Sequence, residues 1–136
     1  GIEAKSPETG FGYLERGEAL AHGGHRVARF VEKPDRETAQ RYLDSGEFLW
    51  NSGIFVMLAS TWLAALEICR PDILAACKAA LSGGSEDGDF IRLDRSAFEK
   101  CPSDSIDYAV MERLTTGQKG LPPSAVIPLA AGWSAI

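Results

Sequence analysis

Strand-like and helix-like patterns of apolar residues take turns along this chain of 136 residues. The first third reads as strands, Phe11 to Leu20 and Arg26 to Val31, joined by the glycine-rich turn His22-Gly23-Gly24-His25. In the second strand Val27, Phe30 and Val31 are apolar and Arg29 is polar, so the alternation is imperfect. Pro34 ends it, because the ring removes a ladder donor and pushes Lys33 toward an extended conformation. Asp35 can cap the next helix, whose apolar face takes Thr38, Ala39, Tyr42 and Leu43, and Ser45-Gly46 stops it. Trp50 to Leu58 reads as strand again: Asn51-Ser52-Gly53 leads into the unbroken run Ile54-Phe55-Val56-Met57-Leu58, which predicts burial on both faces. Ser60 can cap a helix from Thr61 to about Cys69, and Pro71 suits the first turn of another that runs to about Leu81. Ser82-Gly83-Gly84-Ser85-Glu86-Asp87-Gly88 reads as a surface loop between helices. Asp94 can cap a short helix through Phe98, and Asp104 or Ser105 one from Ile106 to about Leu114, with Ile106, Val110 and Leu114 on one stripe. Ser124 to Leu129 closes the chain as a short strand.

Strands alternating with helices predict an α/β fold, a layered mixed sheet flanked by helices, in a single domain over residues 1–136. That sheet is short of strands of its own. The N-terminus, Gly1-Ile2-Glu3-Ala4-Lys5, carries neither an initiator Met nor a charged-then-apolar signal. Both features predict a fragment of a longer protein.

Composition narrows the function classes. A hydrophobic share of 45% excludes disorder, and 14 Gly with 7 Pro exclude collagen-like or low-complexity architecture. No apolar run reaches the roughly 18 residues of a membrane-spanning helix, so no membrane partner is expected. Fourteen basic against 19 acidic residues leave a net charge of −5 without the basic stripe of a nucleic-acid binder. Only Arg26, Arg29 and Lys33 fall close together, which leaves room for a small anionic ligand. The 3 cysteines form no CxxC pair. Cys69 and Cys77 sit among Leu, Ile and Ala, where buried free thiols are expected, and a reducing, cytoplasmic compartment follows.

Three segments can carry chemistry. Phe30-Val31-Glu32-Lys33-Pro34 ends a strand in an acceptor beside a cation, and open α/β sheets bind ligands beyond the carboxyl ends of their strands. Lys is a point charge suited to phosphate, and Glu can accept from sugar hydroxyls; a surface ion pair before a loop would use the same tripeptide. In Trp50-Asn51-Ser52-Gly53, the Asn51 amide suits a sugar's hydroxyls and Gly53 permits close approach, although an Asn turn with a glycine bulge fits too. In Ser105-Ile106-Asp107-Tyr108-Ala109-Val110-Met111-Glu112, an α-helix would set Asp107 beside Met111 and Tyr108 on one face with Glu112. Helix capping also accounts for Asp107. His22 and His25 lack a third metal ligand, Ser/His/Asp chemistry lacks a nucleophile elbow, and Gly10-Phe11-Gly12 is followed by no helix, which rejects a dinucleotide fingerprint. Trp50, Trp62 and Trp133 read as core rather than a stacking platform.

Taken together, four segments resemble a known family. Pro7-Glu8-Thr9-Gly10-Phe11-Gly12-Tyr13, Phe30-Val31-Glu32-Lys33-Pro34-Asp35, Phe48-Leu49-Trp50-Asn51-Ser52-Gly53-Ile54-Phe55 and Cys101-Pro102-Ser103-Asp104-Ser105-Ile106-Asp107-Tyr108-Ala109-Val110-Met111-Glu112 stand in the order and spacing of bacterial mannose-1-phosphate guanylyltransferases, including the bifunctional type with a mannose-6-phosphate isomerase domain. The resemblance runs from about Pro7 to Trp133. It implies part of a nucleotide-diphospho-sugar transferase (Rossmann-like) fold, and a parent enzyme that makes GDP-mannose and pyrophosphate from GTP and mannose 1-phosphate with Mg²⁺, in polysaccharide biosynthesis. By this likeness Glu32 and Lys33 hold the sugar and its phosphate, Gly12 lies against the ligand through its backbone, Asn51 bonds a hydroxyl, and the stretch from Asp107 to Glu112 lines or supports the pocket. GTP would come to the N-terminal half of the family's domain, whose glycine-rich loop and first metal-binding Asp are not in this sequence. The family's usual Asp-Ala-Gly-Trp-Ser-Asp reads Ala130-Ala131-Gly132-Trp133-Ser134-Ala135 here, so Ala135 replaces a metal-binding Asp. The chain alone is therefore expected to be inactive, with no catalytic or metal-binding residue of its own. A non-catalytic interaction module, a homo-oligomer formed through exposed sheet edges, and a transferase for another hexose 1-phosphate are the alternatives.

Overall fold

The computed structural model describes residues 1–133. In chain order its elements are strands β1 (Ile2–Glu3), β2 (Gly12–Ala19) and β3 (His25–Glu32), helix α1 (Arg36–Ser45), strand β4 (Phe48–Trp50), and helices α2 (Ala59–Cys69) and α3 (Pro71–Ser82). Strands β5 (Ser85–Asp87) and β6 (Phe90–Arg92) follow, then helix α4 (Arg95–Phe98), a π-helical turn (Asp107–Met111), a 3-10 turn (Arg113–Thr115) and strand β7 (Ala125–Val126). The α/β class read from the sequence holds. The elements fall into two compact units, Gly1–Val56 with the chain from Met111 onward, and Met57–Val110. No helix among the described residues is long and apolar enough to cross a membrane.

The first unit is built on a five-stranded sheet in the order β1-β4-β2-β3-β7, and its strand pairs run antiparallel. Its central ribbon, β2 with β3, is the hairpin expected at His22–His25; Gly23 and Gly24 take φ of 90° and 82°, which a tight hairpin turn needs. Glu15 faces Arg29 and Arg16 faces Val27, so two steps of β3 oppose one of β2. This bulge explains the imperfect alternation around Ala28. Successive residues serve two cores. Ile2, Tyr13, Phe48 and Trp50 pack with Ala39 and Tyr42 of α1, while Leu14, Phe30, Leu49 and Val126 pack with Met111. Strand β4 is therefore buried on both faces, with Phe48, Leu49 and Trp50 each at most 8% exposed.

Helix α1 follows its sequence signals closely. The Asp35 carboxylate accepts from the Thr38 N–H at 2.7 Å, and Gly46 ends the helix at φ 68° with its N–H on the Leu43 carbonyl at 3.1 Å. Replacing Gly46 by alanine forces a Cβ into the left-handed region, and the urea midpoint should fall by the equivalent of about 1 kcal/mol. An unchanged midpoint would contradict the role of this cap.

Several sequence expectations are corrected. Lys33 is not extended: its φ is 50°, although Pro34 follows it. Tertiary contacts override the proline's local preference there, since the Lys33 N–H donates to the Phe11 carbonyl at 3.1 Å. The strand expected through Leu58 stops at Trp50, and Ile54, Val56 and Leu58 are 65%, 94% and 74% exposed. Gly53 at φ 71° turns the chain away, and an apolar run becomes a buried strand only where neighbouring strands pair with it. Helix α2 begins at Ala59, ahead of Ser60, with no side-chain cap. The 82–88 loop instead contributes β5 to an exposed hairpin with β6, turning at Gly88 with φ 59°. Residues 106–114 form π and 3-10 turns in place of one α-helix, so the four-residue face expected for Tyr108 and Glu112 does not apply. The closing strand is confined to Ala125–Val126. Cys77 is exposed, where burial was expected.

The second unit packs α2, α3 and α4 around Ala65, Leu66, Cys69, Leu74 and Ala80. Arg70 joins α2 to α3, and its guanidinium meets both oxygens of Asp72, at 2.9 and 2.8 Å, and also Asp104. The hydrogen bond from Arg70 pulls the Asp72 carboxyl down from its ordinary 3.8 to about 2. A carboxylate held low stabilises the fold above its ordinary value and loses that contribution as the pH falls through the lowered one. The melting-temperature gap between the native chain and Arg70→Met should thus be full above pH 3.8 and close toward about 2. A gap independent of pH would contradict the pairing.

Candidate substrate-binding site

Antiparallel pairing of β2 with both neighbours sets the start of β2 beside the ends of β3 and β4. Gly12 faces Glu32, and Tyr13 faces Trp50. The Asn51 N–H consequently donates to the Gly12 carbonyl at 2.7 Å. A Cβ at Gly12 would collide with Glu32 Oε2 and stand 3.1 Å from Asn51 Cβ and 3.3 Å from the Phe30 ring. Only glycine leaves the Glu32 carboxylate its place.

Around that glycine the polar groups are held from several sides. The Glu32 side chain is 8% exposed, and its Oε1 lies 3.4 Å from Lys33 Nζ, whose side chain is 55% exposed. The carboxylate is thus set into the sheet end while the ammonium reaches solvent. Behind them the Glu32 N–H donates to Glu112 Oε1 at 2.8 Å and the Phe30 N–H to Thr115 Oγ1 at 3.3 Å. Lys33 is the one non-glycine residue at positive φ among those described. The left-handed region costs such a residue about 1–2 kcal/mol, and strain of this kind concentrates at functional sites. Asn51 Oδ1 accepts from the Gly53 N–H at 3.0 Å, an Asx turn that orients the amide.

Of the six residues singled out in the sequence, Gly12, Glu32, Lys33, Asn51 and Glu112 come together in the first unit. Glu112 acts from behind, on the backbone of β3. Asp107 belongs to the second unit, where it opens the π-helical turn; Ser105 Oγ accepts there from the Tyr108 N–H at 3.3 Å, so the capping falls to Ser105. Arg26 and Arg29 face Glu18 and Glu15 at 3.9 and 3.0 Å, which leaves Lys33 as the member of the basic cluster beside Glu32. Ser134 and Ala135, the altered end of the C-terminal motif, lie outside the described residues.

Sequence reasoning missed four supports. Thr115 and the Glu112 contact with the backbone are tertiary and leave no local signature. The Tyr13 hydroxyl donates to the Glu8 carbonyl at 2.9 Å and ties down the loop before Gly12. Phe11 packs edge-on against Trp50 and Trp133, with ring centroids 5.1 and 5.5 Å away. The buried Trp50 Nε1 has no hydrogen-bond partner among the described residues. A cleft of about 750 Å³ lined by Lys5, Arg16, Phe48, Trp50 and Trp133 opens on this unit, but Gly12, Glu32, Lys33 and Asn51 do not line it.

A buried carboxylate, a solvent-reaching ammonium and an oriented amide around a bare glycine can hold a hydroxylated, phosphorylated small molecule without reacting with it. Among the described residues no three His, Cys, Asp or Glu side chains gather to hold a metal ion.

The chain is similar to several known proteins. The chain is 48% identical to a mannose-1-phosphate guanylyltransferase of Klebsiella pneumoniae, over 98% of this chain and 28% of the relative. It is 50% identical to the xanthan biosynthesis protein XanB of Xanthomonas campestris, over 98% of this chain and 27% of that protein. The chain thus spans little more than a quarter of the length of these relatives. A crystal structure of mannose-6-phosphate isomerase from Helicobacter pylori superposes with a TM-score of 0.79 at 31% identity, over 99% of this chain and 50% of that one. The family model described as nucleotidyl transferase matches residues 1–134, and the chain belongs to that family.

Proposed function

We propose that this chain supplies the sugar-phosphate site of a mannose-1-phosphate guanylyltransferase, an enzyme of polysaccharide biosynthesis that joins the guanylyl group of GTP to mannose 1-phosphate and releases pyrophosphate. The observation that carries the reading is the convergence of Gly12, Glu32, Lys33 and Asn51 on one end of the sheet. Glu32 accepts from the sugar hydroxyls, Lys33 neutralises the phosphate, Asn51 bonds a further hydroxyl, and Gly12 offers its bare backbone as the floor. Glu112 positions the end of β3. Phosphoryl-type transfer needs chiefly positioning and charge neutralisation, so a site without a protein nucleophile suffices. For the Mg²⁺ that the family's reaction uses, no three His, Cys, Asp or Glu side chains gather among the described residues. GTP is not held by this chain, whose sequence has no glycine-rich phosphate loop. The chain alone is inactive and binds the sugar phosphate weakly. The three cysteines, with no CxxC pair, suit a reducing, cytoplasmic compartment.

Calorimetric titration of the purified chain with mannose 1-phosphate, glucose 1-phosphate and GTP tests the assignment. Saturable heat with mannose 1-phosphate, less with glucose 1-phosphate and none with GTP is the expected pattern. Preference for GTP, or GDP-mannose formed by the chain at an enzymatic rate, would overturn it.

A further inference from the structure

The second unit holds two thiols that the sugar site does not use. Residues 94–104 run back along α3: the Asp94 N–H donates to the Ala80 carbonyl at 2.9 Å near one end, and Asp104 meets Arg70 at the other. Between these anchors Cys101 faces the stripe along α3 that carries Arg70, Cys77 and Ala80, with the Cys77 side chain among its neighbours. Cys101 Sγ also donates to the Pro102 carbonyl at 3.7 Å. Desolvation, and then the contact with Cys77, raise the Cys101 thiol above its ordinary range. Cys77 is exposed, Cys101 is half-buried, and Cys69 is buried in α2.

We propose that Cys77 and Cys101 form a reversible dithiol–disulfide site, with exposed Cys77 as the entry point and Cys101 as the resolving thiol. The oxidant is a low-molecular-weight disulfide such as oxidised glutathione. The Cys77 thiolate attacks one of its sulfurs, forming a mixed disulfide and releasing one glutathione thiolate. Cys101 then gives its proton to solvent and attacks the Cys77 sulfur, forming the Cys77–Cys101 bond and releasing the second glutathione. Two thiols are oxidised and one disulfide is reduced. The bond pins the segment upstream of Asp107 to α3. Transient bonds of this kind are the usual disulfides of reducing compartments.

The test is oxidation of the folded chain by glutathione disulfide, read by thiol titration and peptide mass mapping. Free thiols should fall from 3 to one, with Cys77 linked to Cys101 and full recovery on adding dithiothreitol. Cys101→Ser should stop at a glutathione adduct on Cys77, Cys77→Ser should take up none, and Cys69→Ser should oxidise like the parent. Circular dichroism verifies that each variant is folded. A stable adduct on Cys77 in the parent chain, a bond involving Cys69, or three thiols left free would each overturn the proposal. No sugar phosphate enters this readout, so it stands or falls apart from the function proposed above.

Discussion

Gly12→Ala should abolish most of the chain's affinity for mannose 1-phosphate while leaving it folded. The new Cβ meets Glu32 Oε2 and crowds Asn51. Glu32 is the softer partner, because its carboxylate ends a flexible side chain, so the carboxylate moves and the hydroxyl acceptor is lost. Hydrogen bonds to a charged group contribute about 2 kcal/mol each, which makes the expected loss roughly 30-fold per bond forfeited. Overpacking itself costs about 1–3 kcal/mol of stability. Glu32→Ala alone should lose similar affinity. If Gly12 acts through that carboxylate, the double variant should bind no worse than either single one. Additive losses would mean that Gly12 serves the ligand by a different route.

The largest effect on stability is expected at Tyr13. Its side chain is 0% exposed, it packs 5.5 Å from the Tyr42 ring centre, and its hydroxyl holds Glu8. Tyr13→Ala removes a buried aromatic ring and should cost about 3–5 kcal/mol, a large share of the roughly 5–15 kcal/mol that holds a domain together. Tyr13→Phe keeps the ring and loses only the hydroxyl's hydrogen bond, about 1 kcal/mol. Urea denaturation of the two variants separates ring from hydroxyl. A Tyr13→Ala chain nearly as stable as the parent would show that this face of the sheet is not the core of its unit.

Local chemistry was legible in the sequence; tertiary decisions were not. Asp35 and Gly46 bound α1 because capping and left-handed backbone are set within a few residues, and the Gly23-Gly24 turn announces its hairpin for the same reason. Ile54 to Leu58 is as apolar as a buried strand, yet no residue within the run says whether a neighbour will pair with it. Ser105 gave a true capping signal, but a cap does not choose between α, π and 3-10 winding. At the site, each motif alone fitted a bland role. Their convergence depends on a strand register that places Gly12 opposite Glu32 and beside Asn51, and register is a property of the assembled sheet. The family resemblance supplied the grouping that periodicity could not. Lys33 shows the reverse case, a residue whose neighbour Pro34 argues for one conformation while the sheet end imposes another.

The most direct test of the central claim is an amide-shift NMR titration of the chain with mannose 1-phosphate, with GTP as control. Saturable shifts concentrated at Gly12, Glu32, Lys33 and Asn51 are expected, with no saturable change on adding GTP. Saturable shifts elsewhere, or a folded chain whose amides do not respond to the sugar phosphate, would contradict that claim.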